Sequence, residues 1–124
     1  MLKQTIKIIF FTLLLGINLV YSANITDILS KQEALAKKVL IAYKKHKIVA
    51  LLKQINILKV QNKQLRHKIR DSEIRNLLVF LDICFDEMIV TLKKPYSKDN
   101  AQIVADLSIS IKEGTNYVKK ALKI

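Results

Sequence analysis

Residues that interrupt helices are very scarce in this sequence. Its 124 residues include no tryptophan, one proline, two glycines and one cysteine. So few turn-forming residues exclude β-sandwiches and barrels, whose short strands need frequent turns. A single cysteine excludes an internal disulfide. The remaining composition, rich in leucine, isoleucine, lysine and alanine, is typical of helices. It predicts an all-α protein whose core depends on helix packing alone.

Acidic residues are also few, with 10 Asp and Glu against 22 Lys and Arg and a net charge of +12. Such an excess is typical of proteins that bind nucleic acid or anionic membranes. The lysines occur in every segment, however, and aromatic residues are not interleaved with them as in single-strand binders. We therefore expect no nucleic-acid partner. A cationic protein acting on membranes would confine its lysines to one helix face, so we rank that function last.

The first 22 residues have the pattern of a secretory signal peptide. Lys3 and Lys7 precede an apolar run over residues 8–20, and small residues follow. This run is short for a membrane span. Cleavage after Ser22 would place Val20 and Ser22 at positions −3 and −1 before the cut, where small residues are typical of signal-peptide cleavage sites. We expect residues 1–22 to be removed and the mature protein to be periplasmic or secreted. The alternative is an uncleaved N-terminal membrane anchor.

The rest of the chain, residues 23–124, is expected to form one domain of four helices. Apolar residues recur with a helical period over about 24–45 and 48–69, and further apolar stripes run from 74 to 92 and from 103 or 104 to 122. Asp71 or Ser72 is suited to cap the third helix, Pro95 follows its end, and Ser97 is suited to cap the fourth. No glycine or proline separates the first two helices.

Helices of similar length joined by short connections pack as antiparallel neighbours. The prediction is therefore an antiparallel up-down four-helix bundle. The alternative is an extended helical hairpin that dimerises, with the first two helices continuous. Asn62 lies on the apolar stripe of the second helix, where a polar residue sets register. Gly114 lies on the stripe of the fourth helix, where it would allow close helix packing.

No residue pattern indicates catalysis, a metal site or a cofactor. His46 and His67 are 21 positions apart among lysines, without a second ligand at helical spacing. Cys84 lies in an apolar stretch and is interpreted as a core residue. Asp82 and Asp86 are four residues apart, a spacing that suits a shared cation, but pairing with lysines of a neighbouring helix is the commoner arrangement. We expect a non-enzymatic protein.

Two segments resemble a known family. Residues 25–43, ITDILSKQEALAKKVLIAY, and residues 95–108, PYSKDNAQIVADLS, are similar to the first and last helices of the N-terminal sensor domain of type IV pili methyl-accepting chemotaxis transducers. That domain is related to the periplasmic domain of nitrate/nitrite sensor kinases. The resemblance implies a four-helix bundle, usually dimeric, that binds a small ligand where the first helices of two subunits meet.

The resemblance also implies which residues would bind the ligand. Gln32 matches the family's glutamine, and Lys38 matches a later arginine. Glu33 stands where the nitrate sensors have the arginine that holds the anion, and a carboxylate would repel nitrate. A different anion or an organic acid would then be held on the first helix by residues drawn from the set Lys31, Gln32, Glu33, Lys37 and Lys38. The family continues into a second membrane helix and an output domain, which this sequence does not show.

Two functions follow as expectations. The first is an exported, stand-alone, sensor-like module that binds a small ligand, as a homodimer or with a membrane receptor or other protein partner. It predicts a pocket lined by the first helix. The second is a periplasmic helical adaptor or holdase with no small-molecule ligand, which predicts an exposed apolar strip.

Overall fold

A computed structural model describes residues 25–123, and within this range the chain forms four helices and no strand. Helix α1 covers residues 25–44, and the next three helices are α2 (Val49–Lys68), α3 (Ser72–Leu92) and α4 (Lys98–Ala121). The predicted all-α four-helix bundle is confirmed. The predicted signal peptide, residues 1–22, lies outside the described residues. None of the helices in the described part of the chain is both long and apolar enough to cross a membrane.

Side-chain caps begin the third and fourth helices, as predicted. The Asp71 carboxylate accepts hydrogen bonds from the backbone N–H groups of Glu73 at 2.9 Å and Ile74 at 3.1 Å. The Ser97 hydroxyl oxygen accepts one from the Asn100 N–H at 3.0 Å. These bonds satisfy donors that have no partner inside the helix. Of the two candidates for the third cap, the residue used is therefore Asp71.

A left-handed residue separates α1 from α2. His46 has a φ of 59°, a region usually occupied by glycine. Its N–H donates to Tyr43 O at 3.1 Å, and the Lys47 N–H donates to Ala42 O at 2.9 Å. This bond pair is a Schellman motif, which ends a helix. The alternative of one continuous first helix is therefore wrong: the break is formed without glycine or proline.

Contacts between side chains establish that neighbouring helices run antiparallel. Lys59 and Arg66 of α2 pair with Asp86 and Asp82 of α3, so residue numbers rise along α2 as they fall along α3. Lys119 near the end of α4 pairs with Glu33 in the first half of α1. At the other end of the bundle, the Tyr43 hydroxyl donates to Pro95 O at 3.1 Å. This bond ties the end of α1 to the α3–α4 connection.

The core is a single cluster formed by one apolar stripe from each helix, and it includes Leu29 of α1, Ile55 of α2, Phe85 of α3 and Ile111 of α4. Gly114 is also part of this interior, as predicted. A Cβ atom at Gly114 would lie 2.9 Å from Leu81 Cδ2, so the missing side chain lets α3 and α4 approach closely.

Candidate functional site: an arginine-lined cleft

The three lysines predicted to bind a ligand are exposed on the outside of α1. Lys31 pairs with Asp27 one turn earlier, with an N–O distance of 2.9 Å. Such exposed pairs contribute little to stability. Lys37 and Lys38 point to solvent, on the side of the helix away from the core. The lysines therefore lie outside the buried interior that holds Gln32, and of the three, Lys37 is near enough to Glu33 for its charge to act on that carboxyl.

Glu33 is paired with Lys119 of α4, at a distance of 2.5 Å between Oε2 and Nζ. Both side chains are about one quarter exposed, so the pair lies at the rim of the α1–α4 contact. The hydrogen bond from Lys119 and its positive charge hold the pKa of the Glu33 carboxyl below its ordinary value of 4.5. Glu33 thus links two helices.

Gln32 is fully buried and belongs to a polar network in the centre of the bundle. Its Nε2 donates to Asn62 Oδ1 at 3.1 Å, and its Oε1 accepts from Thr115 Oγ1 at 3.3 Å. Asn62 Nδ2 then donates to Leu78 O at 3.0 Å. The network joins all four helices. Gln32 also lies on the apolar stripe, four residues after Ile28, which was the sequence signal that it points inward.

A different set of basic residues converges at the α2–α3 end of the bundle. The chain has 19 lysines but three arginines, and all three lie within ten residues, at positions 66, 70 and 75. Arginine differs from lysine in presenting a rigid, planar fork that binds carboxylate or phosphate through two parallel hydrogen bonds. This clustering was visible in the sequence but is absent from the predicted site.

Two of these arginines open onto a cleft. The last turn of α2 and the first two turns of α3 form its walls, and its volume is about 380 Å³. The space is large enough for a small organic molecule. Its lining combines two guanidinium groups, an imidazole, a hydroxyl, an amide and one apolar wall: Arg66, Arg75, His67, Ser72, Asn76 and Val79.

The two arginines in the cleft differ in how they are held. Arg66 Nη1 lies 4.0 Å from Asp82 Oδ2, and both side chains are about one quarter exposed. Asp82 therefore lies within ion-pair distance of Arg66 but beyond hydrogen-bond distance, so it offsets only part of the charge of Arg66. Arg75 is exposed, and no carboxylate among residues 25–123 lies within salt-bridge distance of it. At least one guanidinium fork is thus free to bind an anion.

The N-terminus of α3 adds little direct anion binding. Asp71 already accepts from the N–H groups of Glu73 and Ile74, so the side chains of the cleft must provide the donors. Ser72 and Asn76 lie on the α3 wall beside Arg75 and supply neutral donors. Val79 gives the cleft an apolar patch for the uncharged part of a ligand.

The cysteine and the two aspartates that the sequence offered as candidate chemical groups lie in structural surroundings. Cys84 is buried in the core, where loss of water raises the pKa of its thiol, helped by the nearby charge of Glu87. Its interpretation as a core residue is confirmed. Asp86 pairs with Lys59 of α2, which is the lysine pairing that the sequence favoured, whereas Asp82 pairs with an arginine of α2, Arg66. Residues 25–123 contain no group of three or more metal-ligating side chains.

The fold and the cleft define a class: an all-α four-helix bundle with an arginine-lined cleft at one end. Comparison of the chain with protein-family models, curated proteins and solved structures found no match. The resemblance to the chemotaxis sensor domain therefore stays a prediction.

Proposed function

We propose that this protein is a non-catalytic, sensor-like four-helix module that acts outside the cytoplasm and binds a small anion or organic acid. The observation that carries the proposal is the convergence of Arg66 and Arg75 on one cleft. Export is inferred from the pattern of residues 1–22. The N-terminal residue of the purified protein, measured by mass spectrometry, tests this part, and we expect loss of the segment ending at Ser22.

The cleft suits an anion with two or more oxygens on one atom. A guanidinium donates two parallel hydrogen bonds to such a group, and each charge-assisted bond is stronger than a neutral one. Partial burial of Arg66 reduces screening by water, which strengthens its attraction for an anion. Carboxylate and phosphate both fit this chemistry, whereas a neutral solute would leave the guanidinium groups without a charged partner.

Thermal unfolding of the purified protein with phosphate, citrate or nitrate tests the binding. A ligand at about one hundred times its dissociation constant stabilises the folded state by about 2.7 kcal/mol. We expect phosphate or citrate to stabilise the wild-type protein. In Arg75→Gln the dissociation constant of that anion should rise roughly tenfold or more, because charge-assisted hydrogen bonds are lost. Arg75→Lys should be weaker than wild type, since it keeps the charge but loses the fork.

Arg70→Gln is the matched control, because it removes the same charge five residues away without touching the lining of the cleft. It should bind like wild type. Equal weakening by Arg70→Gln and Arg75→Gln would mean that net charge alone attracts the anion. The α1 prediction is tested in parallel: a stabilisation abolished by Lys38→Ala or Glu33→Ala, and unaffected by Arg75→Gln, would place the ligand on α1 instead.

The second candidate function is a helical adaptor or holdase. It is favoured by the exposed side chains of Phe80, Ile83 and Val90 on the outer side of α3, since exposed apolar strips are typical of surfaces that bind other chains. A holdase would suppress aggregation of an unfolded client protein, measured by light scattering. That activity should survive Arg75→Gln and fail in Ile83→Lys.

A further inference from the structure

Positive charge is concentrated on the first two helices. Residues 25–70, which form α1 and α2, contain 12 basic and 2 acidic side chains, whereas residues 71–123 contain 8 of each. Both acids of the first half, Asp27 and Glu33, are already paired with lysines. Two more basic side chains of that half pair with carboxylates of α3. Most of its positive charge therefore has no carboxylate within salt-bridge distance among residues 25–123.

The outer surface of α1 and α2 combines lysines with exposed aliphatic side chains, and we call it the basic face. Its members recur at helical spacing, which places each set on one side of its helix. On α1 and the turn after it they are Lys38, Ile41 and Lys45, and on α2 they are Lys53, Ile57 and Val60. The three aliphatic members are about half exposed. The α2 set lines a shallow hollow of about 680 Å³.

Both sets are turned away from the other half of the bundle. Glu33 of α1 faces α4 through its ion pair, and Lys59 of α2 faces α3 in the same way. At about 100° per residue, Lys38 and Ile57 lie roughly 140° and 160° around their helices from those two residues. Packing therefore brings together, on the side that α1 and α2 share, lysines that the sequence spreads over two helices.

We propose that the basic face docks this protein on a membrane whose surface carries anionic lipids. Ammonium groups are attracted to the charged headgroups, and each lysine near such a surface strengthens binding about fivefold. The aliphatic side chains beside the lysines enter the boundary between headgroups and acyl chains, as those of amphipathic surface helices do. This role goes beyond the proposed function and does not use the arginine-lined cleft.

The composition of the basic face favours a lipid surface over other polyanions. The face has no aromatic side chain, whereas proteins that bind single strands stack bases on aromatic rings. Its basic members are all lysines, which act as point charges, whereas arginine forks are preferred where phosphate or base edges are recognised individually. Exposed isoleucine and valine side chains gain from leaving water. A bilayer offers them an apolar layer, and a nucleic-acid backbone or a highly acidic chain does not.

Sedimentation of the purified protein with lipid vesicles tests the proposal. The vesicles consist of phosphatidylcholine, with or without anionic phosphatidylglycerol. We expect binding to the anionic vesicles at 0.1 M salt and release at 1 M, because screening shortens the reach of charges from about 10 Å to about 3 Å. An apolar N-terminal segment, where it is retained, would bind both kinds of vesicle alike. The comparison therefore separates that segment from the basic face.

Two pairs of matched variants locate the contact. Lys38→Gln combined with Lys53→Gln should lower the affinity for anionic vesicles about 25-fold, at about fivefold per lysine. Lys98→Gln combined with Lys120→Gln removes the same charge from exposed positions of α4 and should bind nearly like wild type.

The second pair tests the aliphatic part of the face. Val60 of α2 is 58% exposed and Val90 of α3 is 57% exposed. Val60→Glu should weaken binding about fivefold or more, because it places a carboxylate against anionic headgroups. Val90→Glu adds the same charge outside the face and should have little effect. Circular dichroism of each variant verifies that its helices are retained.

Three results would overturn the proposal. The first is that anionic vesicles bind no better than neutral ones. The second is that the α4 lysine variant and Val90→Glu are impaired as much as their counterparts on the basic face, which would mean that net charge alone attracts the protein. The third is binding of duplex DNA or polyglutamate without binding of vesicles, which would identify a different polyanion as the partner.

Discussion

The buried network of Gln32, Asn62 and Thr115 allows a sharp test of how this bundle is specified. All three side chains are fully or almost fully buried. The network hydrogen bonds are 3.0–3.3 Å long and join the four helices. Asn62→Leu replaces an amide with an apolar group of similar size and removes two of these bonds. Gln32→Met does the same on α1.

The expected magnitudes follow from what each substitution leaves unpaired. Asn62→Leu leaves the Gln32 amide N–H without its acceptor in the core, and an unpaired buried group costs about 1–3 kcal/mol. Gln32→Met leaves both Asn62 Oδ1 and Thr115 Oγ1 without their partner, so its cost should be at the upper end of that range. A domain of this size has about 5–15 kcal/mol of stability, so both variants should fold and be measurably weaker.

The double variant should cost less than the sum of the two single variants. Once both amides are gone, neither leaves the other unpaired, and replacing both partners with apolar groups can be nearly neutral. We expect a coupling free energy of about 1–2 kcal/mol. Urea unfolding followed by circular dichroism gives the four free energies of this cycle. Strictly additive costs, or two neutral single variants, would refute the network as a structural unit.

Two further predictions concern the α3–α4 and α1–α4 contacts. Gly114→Val should destabilise the protein by about 1–3 kcal/mol because its side chain would overlap Leu81; Gly114→Ala should be closer to neutral, since about 1 kcal/mol of helix propensity offsets the crowding. A thermal midpoint unchanged in Gly114→Val would contradict the close approach. Because Lys119 lowers the folded-state pKa of Glu33, the pair stabilises the protein above the ordinary pKa of 4.5, and this contribution is lost as pH falls through the lowered value. Wild type and Glu33→Gln should therefore converge in unfolding free energy once the pH is below this lowered pKa. A difference that does not change with pH would rule out the pair as its source.

Much of the fold could be predicted because each helix carries its own signals. The caps at Asp71 and Ser97 and the proline at position 95 are local features, and local hydrogen bonds or sterics are enough to position them. The break at His46 could not be predicted in this way. His46 adopts the left-handed conformation although it is not a glycine, and the hydrogen bonds of the Schellman motif stabilise it there.

The surroundings of the predicted ligand residues were harder to predict than the fold, and their role in binding stays a prediction. Gln32 was assigned to a ligand because of the family resemblance, although its spacing from Ile28 places it on the buried stripe. Glu33 was read as the residue that would exclude nitrate, and the structure pairs it with Lys119, 86 positions later in the chain. Partners so distant in sequence leave no local periodic signal. The arginine cluster was visible as composition, but its cleft exists because α2 and α3 fold back on each other.

The sequence by itself therefore determined the helix class, the apolar stripes, the cap of the fourth helix and the excess of basic charge, since these depend on residue type and short-range spacing. The tertiary structure decided which polar residues meet in the core, which carboxylates are neutralised and where arginines converge. Those outcomes depend on the packing of antiparallel helices, which brings together residues such as Gln32 and Thr115 from opposite ends of the chain. Charge and composition are properties of single residues, but their distribution over the surfaces depends on how the four helices pack.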